Sequence, residues 1–568
     1  MILALLAAAD LLLVNGRVHT FDPAHPEAEA LLVRGERIVA VGSASALRAQ
    51  AAPDARVLDL GGRAVIPGLI DTHTHLFAAM ASRVAGDLDV GIPAVRSLAE
   101  AVEAVRRRAA DTPPGAWIVG DGWGESKWPE RRYIRKADLD PVSAGRPVYL
   151  EHVSGHAATL NSEGLRLSGI TRDTPDPQGG FIERASSGEP TGVLKDTAMD
   201  LAKIERKRPG PDDRMATAER AGREAAAVGL TTIHNSILPL ADAEAYRQAD
   251  AQGRLKVRVV AIPFIPNQGT EDALAAIKAT GAKTGTRTGR VTWGAVKFMC
   301  DGGMAARTIA VTAPGPVDDP KNLGLLGWET AKLTAAMKAA HALGFQITAH
   351  GIGDRAITQI LDALDGALGP APGDHRSRIV HCGVTTPALL DRIKRMNVLV
   401  DHNPPFVYWI GDWFRNYGPQ RVLMSYRGRS YEDRGIVVSG GSDVGVTPLS
   451  PWWGIWAAVE RKEYLTGEVL APEERVDVRT ALKWYTTGGA YAGFEEKEKG
   501  VLAPGYLADF IVLDRDPLAV PAAELKDVKV LATFLGGETV HQDGVLGWGE
   551  AAAANLLSGR PRSPRHVR

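Results

Sequence analysis

Residues 67–76 read PGLIDTHTHL, and the fold turns on how this stretch is understood. Its apolar first half, opened by Pro67 and Gly68, has the length and composition of a buried strand. On a strand, residues two apart point to the same side, so His73 and His75 project together from the carboxyl end. Two imidazoles on one face suit a divalent metal. Taken alone, an HxH pair fits a strand terminus with two polar residues just as well, so the reading depends on what else the chain offers. Asp71 shares the face and is placed to accept a hydrogen bond from an imidazole.

Working outward, the run at 64–75 is followed by seven more: LTTIHNS (230–236), KVRVVAIP (256–263), VTWGAVKF (291–298), FQITAH (345–350), SRIVHC (377–382), NVLVDHN (397–403) and GIVVSGGSD (435–443). These eight alternate with Ala-rich amphipathic stretches such as 333–344 and 355–368, the pattern of βα units around a parallel sheet. A (β/α)8 TIM-like barrel over residues 66–500 is the natural closure. The gap from His75 to Thr231 is too long for one helix and predicts an inserted subdomain at about 80–215. Runs at 11–21, 30–42 and 56–66, and again at 506–516 and 528–540, read as short strands between turn-rich stretches. Residues 1–65 and 501–548 are therefore expected to form one composite β-sandwich from both termini. The stretch 549–568, with Pro, Ser and Arg and no apolar period, reads as a disordered tail.

Composition narrows the function classes. The 568 residues are 45% hydrophobic and 23% charged, as in an ordinary globular protein, and at roughly 100–200 residues per domain they predict more than one. Lys and Arg total 66 against 67 Asp and Glu, so no overall field favours nucleic acid or an anionic membrane. With only Cys300 and Cys382 there is no disulfide framework and no cysteine zinc site. The apolar opening MILALLAAA is far short of a membrane span. It reads either as a ragged end of a cytoplasmic protein or as the remnant of an export signal in Met1–Ala9, which would place the protein in the periplasm or outside the cell.

Lys297 lies in VTWGAVKF, where alternation puts Val296 and Phe298 on one face and Lys297 with Ala295 on the other, inward-pointing one. A buried ammonium is costly unless paired. Three outcomes are open: a lowered pKa, a rim position paired with Asp301, or carbamylation, in which the neutral amine takes up carbon dioxide and becomes a carboxylate able to bridge two cations. His350, His381 and Asp443 each close a strand. Individually each reads as a buried polar group. Together, an HxH pair, a lysine, two histidines and an aspartate at successive barrel strand ends mark a site, because active sites of this fold gather at that face. Cys300 and Cys382 read as small buried apolar residues rather than soft ligands. Tyr408, Trp409, Trp413 and Tyr417 form either a packed surface loop or an apolar lid over a substrate.

The constellation resembles the amidohydrolase superfamily, whose members hold one or two divalent metals at the mouth of a (β/α)8 barrel flanked by a small β-sandwich. DGWGESKWPERR (121–132), GHAATLNSEGLRLSGIT (155–171), PTGVLKD (190–196), VKFMCDGGMAARTIAV (296–311), AHGIGDRAI (349–357) and residues 440–462 are similar to the branch that includes N-substituted formamide deformylases, amidohydrolase family 3, and cover nearly the whole chain. The resemblance implies that His73, His75 and Asp443 hold one metal and His350 and His381 a second, with carboxylated Lys297 bridging and zinc the expected ion. His156 matches the family's GHxxxxN pattern, which makes it, with Trp409 and Trp413, a candidate for the substrate pocket; a structural, hydrogen-bonded histidine is the alternative. Two positions depart from the pattern: Val380 stands where an acidic residue is usual, and Asn235 where an aspartate is.

The expected function is hydrolysis of a carbon–nitrogen bond other than a peptide bond, in a linear amide or an N-acyl or N-formyl compound, by metal-activated water with Asp443 as proton shuttle. If Asp443 does not fill that role, His234 and Asp301 are next. The partner is a small-molecule substrate, with neither nucleic acid nor membrane; a homo-oligomer is left open. Ester or lactone hydrolysis or deamination on the same scaffold is the rival reaction. A non-catalytic binding protein is the rival of another class, and the complete ligand set stands against it.

Overall fold

The computed structural model describes residues 10–548 apart from 93, 206–208, 370–372 and 545. The apolar opening and the 549–568 tail lie outside the described residues. Two five-stranded sheets hold the centre. In one, Leu69–Thr74, Leu230–Ser236, Arg258–Ile262 and Val291–Trp293 run parallel side by side, with the short Arg287–Thr288 strand antiparallel at the edge. In the other, Val296–Met299, Ile347–Gly351, Arg378–His381, Leu399–His402 and Val438–Gly440 run parallel in chain order. Each of the eight runs contains a strand, and VTWGAVKF is divided at Gly294 and Ala295. Parallel neighbours require a crossover, and helices such as Leu240–Ala251, Asp354–Leu368 and Pro387–Arg395 supply it.

Two seams join these sheets. Lys297 N donates to Pro263 O at 2.8 Å and Ile265 N to Lys297 O at 2.9 Å. At the other edge Asp443 N donates to His73 O at 2.7 Å, and Thr72 Oγ1 to Gly440 O at 3.1 Å. Val296 and Phe298 pack with Ile347, Ile379 and Val400 and with helix residues Leu333, Met337 and Ile360 in one core. Burying each such side chain contributes about 1.5–3 kcal/mol, which holds the alternate face, and Lys297 with it, turned the other way.

Residues 88–196 carry a separate six-stranded sheet, part of which rests on a core that includes Trp123, Trp128, Ile134 and Leu150. The two chain ends meet in two further sheets: Phe510–Leu513 pairs antiparallel with Ala64–Pro67, and Gly547–Trp548 with Arg56–Asp59. Leu13, Val33, Leu58, Val65, Phe510 and Phe534 share one core. Among the described residues, no helix is long and apolar enough to cross a membrane.

Candidate metal centre

His73 lies near the end of its strand, buried, and His75 just beyond it at the start of the Leu76–Ala85 helix. Asp443 follows Val438–Gly440 with φ 56°, a left-handed conformation rare for a non-glycine residue and common at functional sites. His73 Nε2 is 3.4 Å and His75 Nε2 3.3 Å from the same Asp443 Oδ1. One ligand atom from each of the three lies within 4.8 Å of the others. Ser236 Oγ, 3.0 Å from His73 Nδ1, fixes that ring. Asp71 does not reach an imidazole, contrary to the sequence expectation. It accepts from the backbone N–H of His73 at 3.0 Å and from Ser442 N and Oγ at 3.1 and 2.5 Å, because the His73 ring turns toward Ser236. Its carboxyl thereby ties the two ligand-bearing segments together, and burial pushes its pKa up to about 7.

His350 and His381 form the neighbouring pair, with ring centroids 4.6 Å apart and His381 5.2 Å from His73. His381 also has positive φ, 68°. Its Nδ1 meets Asn403 Oδ1 at 2.8 Å, while Asn403 Nδ2 donates to Gly441 O at 3.2 Å; the amide's orientation makes Nδ1 the protonated nitrogen and leaves Nε2 free. His350 Nε2 is 3.2 Å from Asp301 Oδ1. Asp301 also accepts from the backbone of Ile352, Gly353 and Ala310 at 3.0, 2.8 and 2.9 Å. Asp301 is thus engaged with His350, and the alternative of a Lys297–Asp301 pair is not what forms. Lys297 Nζ is buried with no hydrogen-bond partner, and burial lowers its pKa to about 7 against the opposing pull of Asp443 and Asp401. His234 is buried with Nδ1 3.2 Å from Arg378 Nη1.

The electrostatics suit a cation. Burial, joined by the charge of Lys297, pulls His73 well below the usual imidazole range, and burial lowers His350 and His381 as well. Burial opposes ionisation of Asp443, but its hydrogen bonds with His73 and His75 outweigh that and hold its pKa well below the carboxylate range. Metal ligands must be free of protons, and burial favours the neutral form of the His73, His350 and His381 imidazoles while Asp443 is held as the carboxylate. Two nitrogens converging on one carboxylate oxygen are a donor set that divalent metals take, so the residues fit such an ion. Cys300 and Cys382 are buried in the hydrophobic core, and burial raises both thiols, Cys382 to about 12.

A small cavity opens beside His350, His381 and Asp443, with Phe406, Ile410, Trp413 and Met304 as apolar wall and His156 and Ser154 as polar wall. Trp409 is not part of that wall; it stacks on Tyr464 at 5.5 Å and meets Trp453 edge-on at 5.3 Å. Tyr408 stacks on Trp453, and Tyr417 shares a buried core with Trp413 and Phe414. Sequence reasoning missed Ser236, Asn403 and the hold of Asp301 on His350; the available signal was that Ser236 and Asn403 also stand at strand ends.

An amidohydrolase family model matches residues 56–541, and the imidazolonepropionase-like composite domain of bacteria matches residues 30–52. The chain is 30% identical over 541 residues to the putative amidohydrolase YtcJ of Bacillus subtilis (strain 168), covering 93% of this chain and 98% of that one. It is also 30% identical over 546 residues to the N-substituted formamide deformylase of Arthrobacter pascens, covering 93% and 97%. A solved structure, an uncharacterized metal-dependent hydrolase from Pyrococcus horikoshii OT3, shares the fold with a TM-score of 0.71 at 23% identity, over 91% of this chain and 99% of that one. With a family match across most of its length and two relatives at this identity and coverage, the chain belongs to the amidohydrolase family and is a hydrolase of carbon–nitrogen bonds other than peptide bonds.

Proposed function

We propose that the substrate is a linear amide, an N-acyl or N-formyl compound. In this reading His73, His75 and Asp443 hold one divalent ion, zinc, and His350 and His381 hold a second, bridged by carboxylated Lys297. The observation that carries the reading is the meeting of the His73 and His75 Nε2 atoms at one oxygen of Asp443, 3.4 and 3.3 Å away. The proposal includes the architecture: the two parallel sheets close at their seams into a (β/α)8 barrel over residues 66–500, with an insertion at about 80–215, and residues 1–65 and 501–548 form one flanking β-sandwich. Active sites of such barrels lie at the carboxyl ends of the strands, where these ligands stand.

A divalent metal supplies Lewis acidity toward the scissile carbonyl and, by lowering the pKa of water, a nucleophile at neutral pH. Asp443 takes the proton from the attacking water and delivers it to the leaving nitrogen. Lys297, with a pKa near 7, has the neutral amine that carbon dioxide requires; the N–C bond forms, one N–H proton leaves to solvent, and the buried group becomes an anion. Ser236, Asn403 and Asp301 hold the imidazoles in place. The walls of Phe406, Ile410 and Trp413 exclude water and receive an uncharged substituent.

Metal analysis of the purified protein, combined with hydrolysis assays on N-formyl, N-acyl and ester substrates, tests the reading. Stoichiometric divalent metal, loss of activity on exhaustive chelation with recovery on re-addition, and faster turnover of amides than esters are expected. Full activity of metal-free protein, or a preference for esters, overturns it.

A further inference from the structure

The polar wall of the reaction cavity comes from the inserted segment. His156 stands directly before the strand Ala157–Leu160, and Asp196 ends its antiparallel partner Pro190–Asp196, with Ala157 opposite Lys195. Asp196 N donates to His156 O at 3.0 Å, and the side chains meet as well, His156 Nδ1 lying 2.7 Å from Asp196 Oδ1. A carboxylate only accepts, so Nδ1 carries the proton and Nε2 is the free nitrogen of a ring that lines the cavity, its centroid 5.2 Å from that of His350. Ser154, the other polar group of the wall, is already engaged with His152 Nδ1 and the His156 backbone.

The pair is held in an arrangement that nothing in the local chain favours. Asp196 has φ 49° and ψ −129°, a conformation that non-glycine residues rarely adopt and that persists where the surroundings impose it. Its Oδ2 is buried without a partner. Space for both side chains is cleared by two consecutive glycines that follow Asp301. A Cβ on Gly302 would lie 2.6 Å from both Asp196 carboxylate oxygens, and one on Gly303 would lie 2.8 Å from His156 Cδ2 and 2.9 Å from its Cγ. The loop that grips His350 through Asp301 is therefore also the seat of the His156–Asp196 pair.

We propose that His156 is a substrate-binding residue whose free ring nitrogen hydrogen-bonds the amide group of the substrate, and that Asp196 is the positioning residue that holds the ring for it. The inference rests on the amide reading above and deepens it: the insertion, and not only the strands that carry the metal ligands, orients the scissile bond.

The test compares metal-loaded wild type with Asp196→Asn, Asp196→Glu and His156→Gln. A hydrogen-bonding group misplaced by about 1 Å can cost roughly 10²-fold in rate. Asp196→Asn and His156→Gln are accordingly expected to lower kcat/KM on N-formyl and N-acyl amides by about 10- to 10²-fold, with metal content and Tm unchanged, and Asp196→Glu to recover part of the loss. In proton NMR the downfield Nδ1–H resonance of His156 should be present in wild type and absent from Asp196→Asn. Unchanged kcat/KM in both variants, or a loss confined to Tm, makes the pair a structural clasp and overturns the proposal. Absence of amide turnover in wild type fails the amide reading alone. The pair is then judged by titrating wild type with N-methylacetamide, where a shift of the His156 ring resonances is expected and no shift overturns it.

Discussion

Asp443 combines burial, which favours the protonated acid, with two imidazole nitrogens at 3.3 and 3.4 Å that favour the anion. The second influence prevails, so the carboxylate stays ready to accept a proton. General acid–base catalysis contributes about 10²–10⁴ in rate, and Asp443→Asn, nearly isosteric, should therefore lower kcat by at least about 10² while circular dichroism remains that of the parent. Retention of metal with turnover within about tenfold of wild type would move the proton transfer elsewhere. Asp301 is a poor substitute, since its oxygens already serve His350 and three backbone amides. Lys297 poses the complementary case. Its Nζ is buried and unpartnered, an expensive state for either an ammonium or an amine, and the proposed carboxylation would relieve it by giving the group a cation to face. Lys297→Ala should lose both metal and activity, and formate or acetate should restore part of each by occupying the vacated space. Full metal content in Lys297→Ala, measured by elemental analysis, would remove the bridging role.

The strands and their ends carry most of what was legible in the sequence. The HxH spacing, the inward parity of Lys297, and a polar residue at the end of successive apolar runs are local properties. The structure brings His73, His75, His350, His381 and Asp443 together around the buried Lys297. What stayed hidden depends on contacts between distant segments. Asp71 was expected to face an imidazole and instead accepts from Ser442, far along the chain, because strand parity fixes the side of the sheet but not which neighbour fills the space. Asp301 could be read from its proximity to Lys297, but its actual partner is set by the approach of Ile352 and Gly353. The aromatic run at 404–418 divides for the same reason: Trp413 faces the cavity, while Trp409 meets Trp453 and Tyr464, residues that no local periodicity connects to it. Asp196 closes the family-like stretch PTGVLKD, but its pairing with His156 could not be read there, since it depends on the register of two strands and on the space left by Gly302.

At the scale of the whole molecule, the question is whether the sheets formed by the two chain ends stabilise the metal centre or merely adjoin it. Ala64–Pro67 pairs with Phe510–Leu513 and passes through Gly68 into the strand that carries His73. A Cβ on Gly68 would come within 2.7 Å of three Thr231 side-chain atoms, so the passage is tight. Arg258, in the first central sheet, reaches Asp509 with two bonds of 2.7 and 3.0 Å, and Thr533 Oγ1 donates to Ala226 O at 2.7 Å. These ties predict that the terminal sheets and the centre unfold as one. Phe510 is fully buried and stacked on Phe534 at 4.5 Å, and truncating a buried Phe to Ala costs about 3–5 kcal/mol. A metal that binds only the folded state adds about 2.7 kcal/mol when present at 100 times its Kd. Contributions from separate sites add when both act on one cooperative transition. Phe510→Ala and chelation should therefore each lower the Tm of a single transition, and together lower it by close to the sum of the two. If calorimetry of Phe510→Ala instead resolved an early transition that chelation leaves unmoved, followed by a metal-dependent one at the wild-type temperature, the terminal sheets would be an independent body and the strand leading to His73 would owe them no stability.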